Sequence, residues 1–122
     1  MPSKNSTLLF REAVDQIRLD VIKAMALRAA LELGLFTPLA DGPLTADELS
    51  KGLGVQSRRL KMLLYQLVAS EFLELKDKRF YNSPISTELF VQGRPGYYGG
   101  IHGLWTEMFT AMLETANSIK AE

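Results

Sequence analysis

Apolar residues recur at three- and four-residue steps through Phe10, Val14, Ile17, Val21, Ala24 and Met25, which predicts a helix over residues 7–33. Ser6 or Thr7 is placed to cap its start. From Ala24 to Leu33 the sequence AMALRAALEL is apolar on nearly all sides, so this part of the helix needs cover on more than one face. Gly34 suits a left-handed stop, and Asp41-Gly42-Pro43 a turn. Thr45 followed by Glu48 three residues on has the spacing of a capping box, in which each side chain satisfies a backbone N–H of the other residue. Gly52 and Gly54 are expected to end this short helix. Ser57 is expected to cap the next one, whose buried stripe is Leu60, Leu63, Leu64, Leu67 and Val68.

Two apolar runs, Phe72–Leu75 and Phe80–Tyr81, flank the polar stretch Lys76-Asp77-Lys78-Arg79 and predict a β-hairpin. Pro84 stands at the favoured first position of a helical turn, with Leu89 and Phe90 packing back. Gln92-Gly93-Arg94-Pro95-Gly96 reads as a flexible linker. A last helix, residues 98–120, carries Ile101, Leu104, Trp105, Met108, Phe109, Met112, Leu113, Ala116 and Ile119 at helical spacing.

These elements add up to a mainly α fold: a winged helix-turn-helix with a small hairpin wing and extra helices at both ends. The chain, 1–122, reads as a single domain with an N-terminal helix 7–33, a helix-turn-helix 45–70, a wing 72–82 and a C-terminal helix 98–120. A minimal winged helix does not need the outer two helices. An apolar stripe as long as that of the last helix invites aggregation unless a partner covers it, and a second copy of the chain is the simplest partner. The residues expected at such a dimer interface are Val14, Ile17, Val21 and Met25 on the first helix and Leu104, Trp105, Met108 and Met112 on the last.

Composition narrows the function classes. At 47% hydrophobic, the chain can build a core, yet its apolar stretches are interrupted by Arg28, Glu32, Lys61 or Gln66, so no membrane-spanning helix is expected. The N-terminus lacks the apolar core and small-residue cleavage site of a secretory signal. With no cysteine there is no disulfide scaffold, thiolate metal site or cysteine nucleophile, and a cytoplasmic location is expected. Formal net charge is zero, whereas a dedicated DNA-binding domain is usually basic. Residues 56–79 nevertheless hold six basic against three acidic groups, where a DNA reader would carry its excess.

Arg58, Arg59 and Lys61 lie early on the second helix of the pair, where a recognition helix meets DNA, and Lys78 and Arg79 on the wing are placed for phosphates. A transcription regulator of the winged-helix type is therefore the rival reading. Ordinary solvated charge outweighs it: the helix start has no Asn or further Gln for adenine readout, and neutral overall charge gives little steering. A nucleic-acid partner is not the expected one. His102, the sole histidine, has no Asp, Glu or Cys close by at metal-ligand spacing and reads as a surface or pocket histidine; no metal site is expected. Ser83, Ser86 and Thr87 are explained by capping. Gly93, Gly96, Gly99, Gly100 and Gly103 do not follow a strand, so they make no phosphate cradle. Trp105, Met108, Phe109 and Met112 have the character of a wall for a flat apolar ligand, although an ordinary helix–helix core is the commoner meaning of such a stripe.

The ordered set ALELGLFTPLA, LTADELSKGLGV, RRLKMLLYQLVASEFLEL and FYNSPISTELF resembles the N-terminal domain of S-adenosylmethionine-dependent small-molecule O-methyltransferases. That family includes plant phenolic, acetylserotonin and bacterial polyketide methyltransferases. The resemblance covers residues 21–90 and resumes from Trp105 onward. It implies a winged-helix dimerisation domain that forms an intertwined homodimer and part of the wall of the acceptor-substrate pocket. It also implies that S-adenosylmethionine and the family's catalytic histidine belong to a separate C-terminal domain, absent from this chain. His102 does not inherit that role, and no catalytic or cofactor-binding residue is expected here. The polypeptide alone is not expected to transfer methyl groups.

Overall fold

The computed structural model describes residues 3–121, the Lys4 side chain excepted. Helix α1 spans Lys4–Leu33, α2 Ala46–Leu53 and α3 Ser57–Ala69; strands β1 (Leu73–Lys76) and β2 (Arg79–Asn82) follow, then α4 (Pro84–Leu89), α5 (Ile101–Leu113) and α6 (Thr115–Lys120). The fold is a mainly helical winged helix-turn-helix with one antiparallel hairpin. Leu73 pairs with Asn82 and Leu75 with Phe80, so Leu73, Leu75, Phe80 and Asn82 share one face of the hairpin. A one-residue bridge from Leu44 to Phe80 ties the hairpin to the entry of α2.

Local chemistry explains most boundaries. Ser3, rather than Ser6 or Thr7, caps α1: its side chain accepts the Ser6 N–H, so the helix starts earlier than its apolar pattern does. Gly34 ends α1 at φ +67°, with Leu35 N–H donating to the Ala30 carbonyl. Gly54, at φ +70°, ends α2, whereas Gly52 stays inside the helix. Gln56 occupies the N-cap of α3 in extended conformation, which displaces Ser57 to the first helical position; its hydroxyl donates instead to the Asp47 carboxylate. The two turn residues of the wing, Asp77 and Lys78, take φ +51° and +62°. A two-residue hairpin turn of this kind matches the right-handed strand twist and is usually filled by Asn-Gly.

The core sits where α1, α2 and α3 meet the wing. Ala26, Leu27, Ala30 and Leu31 of α1, Leu35 and Phe36 beyond it, Leu60, Leu64 and Leu67 of α3, and Phe72, Leu73, Phe80 and Phe90 are all buried. Ser83 and Ser86 are buried too, but not as caps. Both hydroxyls donate to the Phe72 carbonyl, at 2.9 and 2.7 Å, which fastens α4 to the start of β1.

The C-terminal stripe departs from the sequence expectation. Gly99 and Gly100 delay the helix to Ile101, and Tyr98 N–H donates to Leu89 O across the preceding segment. The helix then breaks at Glu114, whose φ −93° and ψ 3° leave the helical region, while the Thr115 hydroxyl takes the Met112 carbonyl. The stretch expected to be a flexible linker is tied down at several points: Gln92 N–H donates to the Thr37 hydroxyl and Arg94 Nε to the Thr87 carbonyl.

The capping box forms as the spacing predicts. Thr45 N–H donates to Glu48 Oε1 at 2.9 Å, and Glu48 N–H to the Thr45 hydroxyl at 3.2 Å. The Thr45 backbone N–H and then its hydroxyl hold the Glu48 carboxyl below the ordinary glutamate value; desolvation opposes them, and the Arg79 cation adds the least. A depressed folded-state pKa contributes stability above the unfolded value and loses it as pH falls through the folded one. The melting-temperature gap between the wild type and Glu48→Gln is therefore expected to narrow from about pH 7 to about pH 3. A gap of constant width would show that the charge of Glu48 contributes nothing.

Candidate functional site

The most distinctive surface is apolar and belongs to the two outer helices. At 1.5 Å per residue α1 is roughly 45 Å long, yet its buried residues all lie between Ala26 and Leu31. Phe10, Val14, Ile17, Val21 and Met25 share one helical face and are exposed, Val14 by 65% and Ile17 by 63%. Leu8 and Leu19, on the opposite side, are exposed as well. A helix apolar on two sides and covered on neither is built to be packed against something.

Helix α5 lies along the core-facing end of α1. Arg28 joins the two, donating to the Thr106 hydroxyl at 2.9 Å while pairing with Glu32 at 3.2 Å. The apolar side chains of α5 divide. Ile101 and Trp105 pack against the protomer's own core, and the Trp105 and Phe109 rings stack at 6.1 Å. Leu104, Met108 and Met112 face outward and are exposed. The eight expected interface residues are thus placed unequally: seven are exposed in the protomer, while Trp105 is half-withdrawn. The expected pocket-wall residues divide the same way, Met108 and Met112 outward, Trp105 and Phe109 half-buried. The exposed face of α1 also includes Phe10, and its opposite side exposes Leu8 and Leu19, all three absent from the interface set drawn from the sequence; the periodicity that marks Val14 and Ile17 already includes Phe10.

Of the five cations expected at DNA, only Lys61 and Lys78 line a common groove. Arg58 is exposed on α3. Arg59 lines a cleft with Leu33, Val55 and Leu63 beside the end of α1. Lys61 and Lys78 face a different groove, between α3 and the wing. Arg79 is paired with Glu48 at 3.2 Å. Asp47 sits on the rim of the Lys61–Lys78 groove, so a phosphate backbone laid there meets a carboxylate. His102 is half-buried and, among the described residues, no three His, Cys, Asp or Glu side chains cluster to hold a metal. No described helix is long and apolar enough to cross a membrane.

A helix-turn-helix that forms no continuous cationic track and exposes apolar outer helices is the arrangement of an association module, and the sequence profile of the O-methyltransferase dimerisation domain matches residues 17–93. The chain belongs to the O-methyltransferase dimerisation domain family. Its relatives include the N,N-dimethyltransferase OxyT of Streptomyces rimosus, 39% identical over 100 residues, a match covering 75% of this chain and 29% of OxyT. The 3-hydroxy-5-methyl-1-naphthoate 3-O-methyltransferase of Streptomyces sahachiroi is 38% identical over 78 residues, covering 64% of this chain and 23% of the enzyme. Among solved structures, CalO1, a methyltransferase in calicheamicin biosynthesis with SAH bound, superposes over 99% of this chain and 35% of its own, with TM-score 0.79 and 24% identity. PigF with SAH superposes over 93% of this chain and 34% of its own, with TM-score 0.70 and 25% identity. This dimerisation domain therefore spans less than a third of the length of the curated relatives it matches.

Proposed function

We propose that this chain is the dimerisation and substrate-pocket-wall domain of an S-adenosylmethionine-dependent O-methyltransferase acting on a small molecule in the cytoplasm. Its partner is a second copy of itself, joined through α1, α5 and α6. The observation that carries the reading is the exposed apolar face of α1 and α5 in a chain of the dimerisation family. A stable obligate interface buries on the order of 2,000 Å² or more, and Phe10, Val14, Ile17, Val21, Leu104 and Met108 offer apolar surface for it. The acceptor substrate would meet the same region, with the Met108 and Met112 side chains adapting to a flat apolar molecule. Light scattering at micromolar concentration is expected to give twice the 13.6 kDa chain mass. A monomer under those conditions would sink the proposal.

The residues present do not fit the cofactor. A nucleotide-type cofactor is seated by a strand, a glycine-rich loop and a helix in succession. The two strands among the described residues are antiparallel and joined by a two-residue turn, and the stretch Gly93–Gly103 follows α4 rather than a strand. Titration calorimetry of this polypeptide with S-adenosylmethionine is accordingly expected to show no binding heat. A micromolar affinity would relocate the cofactor site into this domain.

A further inference from the structure

Helix α3 turns an unusual face to solvent. Its leucine stripe, Leu60, Leu64 and Leu67, is buried. The opposite face runs Arg58, Met62, Tyr65, Ala69, spaced at i, i+4, i+7 and i+11. Met62 is 77% exposed and Tyr65 54%. This is the face on which a DNA reader carries hydrogen-bonding side chains, and here its middle is apolar. Beside it runs a groove of about 480 Å³ between α3 and the wing, lined by Lys61, Tyr65, Leu75, Lys78 and Phe80, with Asp47 on its rim. The Tyr65 ring meets the Phe80 ring edge-on at 6.0 Å, so the groove has a firm aromatic floor.

The groove lining carries two cations, Lys61 and Lys78, against one carboxylate, Asp47, and Arg58 adds a third cation on the neighbouring face of α3. Among the described residues, Arg58, Lys61 and Lys78 enter no ion pair and Glu48 is paired with Arg79, while Asp47, which accepts the Ser57 hydroxyl, keeps its negative charge in the groove lining. The three cations lie within the stretch 56–79, the only basic-rich part of an otherwise balanced chain. The stripe from Arg58 to Ala69 is roughly 17 Å long, three helical turns, which matches the length over which one helix lies in a groove of another protein.

We propose that the groove between α3 and the wing is a docking surface for an acidic amphipathic helix of another protein. The apolar side chains of that helix cover Met62, Tyr65 and Leu75, and its carboxylates meet Arg58, Lys61 and Lys78. Charge complementarity selects this occupant. A second copy of this chain paired groove to groove brings the same cations to the same place, which repels. Duplex DNA requires a continuous cationic track, which three cations around an apolar centre do not form, whereas an amphipathic helix brings an apolar face to Met62, Tyr65 and Leu75.

The test uses the 122-residue chain and a fluorescein-labelled peptide of about four helical turns, leucine on one face and glutamate on the other. Comparison probes are the same peptide with lysine for glutamate, a composition-matched scramble without an apolar face, and a labelled DNA duplex. Fluorescence anisotropy is expected to give the acidic peptide a Kd on the order of tens of micromolar, at least about tenfold tighter than the lysine version or the scramble. The double variant Lys61→Glu/Lys78→Glu, with both changes on exposed side chains, is expected to lose about tenfold or more with an unchanged circular dichroism spectrum. Met62→Ser, which leaves the charges in place, is expected to weaken the peptide as well. The proposal is overturned if the acidic peptide does not bind, if the scramble binds equally, or if the duplex binds more tightly than the peptide. A fall in oligomer mass on Lys61→Glu/Lys78→Glu would also overturn it, by assigning the groove to self-association. Failure here leaves the dimer reading intact, because that reading rests on α1 and α5 and is measured by mass.

Discussion

The double variant Ile17→Asp/Met108→Asp is expected to run as a 13.6 kDa monomer in multi-angle light scattering, where the wild type is expected at twice that mass. Both side chains are exposed in the protomer, Ile17 by 63% and Met108 by 41%. A carboxylate at either place remains in water in the monomer, and surface changes of this kind shift fold stability by only about half a kcal/mol. In the proposed dimer the same carboxylates would be enclosed. Each occurs twice in a two-fold assembly, and each buried charge without a partner costs several kcal/mol after relaxation. Four such charges exceed what an interface of ordinary affinity supplies, so dissociation rises by orders of magnitude rather than by a few-fold. The circular dichroism spectrum is expected to stay helical, which separates loss of partner from loss of fold. Met62→Asp, on the outward face of α3, serves as control and is expected to remain dimeric. A double variant that stayed dimeric would place the interface elsewhere on the molecule.

Most of this architecture is legible in the chain because it is set locally. The Thr45–Glu48 spacing, Gly34 and Gly54 at left-handed positions, and the polar turn between two aromatic runs each determine their backbone within a few residues. Where the sequence reading departs from the structure, the deciding contact is remote or the pattern is degenerate. Ser57 looks like a cap, but Asp47, ten residues earlier, takes its hydroxyl and Gln56 takes the cap position. Ser83 and Ser86 look like caps and instead bind the Phe72 carbonyl across the core. The apolar spacing from Met108 through Met112 to Ala116 continues smoothly over the break at Glu114, because periodicity marks a face and is silent about the backbone between marks.

The surface proposed for self-association is only half legible for a related reason. On α5, Trp105 and Leu104 are neighbours in sequence and both apolar, yet one turns to the protomer's own core and the other to solvent. The stripe pattern does not distinguish a core from an interface; only the position of α1 alongside α5, fixed in part by Arg28 and Thr106, does. The exposed Met62 and Tyr65 are not legible as a surface, because they stand between charged residues on a helix whose burial is already accounted for by Leu60, Leu64 and Leu67.

The fold itself is expected to fail most sharply at Phe36. Phe36→Ala is expected to lower stability by roughly 3–5 kcal/mol, a large share of the 5–15 kcal/mol typical of a whole domain. Phe36 is 1% exposed and follows the left-handed end of α1. Its ring lies 5.3 Å from that of Phe90, which lies 6.1 Å from that of Phe72. Its carbonyl accepts the Asn82 side-chain amide at 2.9 Å. One residue therefore joins the exit of α1 to the wing and to the end of α4. Truncation removes the ring from between these elements and leaves a void that rigid neighbours do not fill. At a few degrees per kcal/mol for a chain of this size, the melting temperature is expected to fall by roughly 10–20 °C. Because a dimer's melting temperature depends on protomer concentration, wild type and variant are to be compared at equal concentration. Ile85→Ala, at a side chain 47% exposed, is the matched control and is expected to shift it by only a degree or two. A fall no larger for Phe36→Ala than for Ile85→Ala would mean that the display of α1 does not depend on this aromatic cluster. The dimer would then have to be what holds the protomer together.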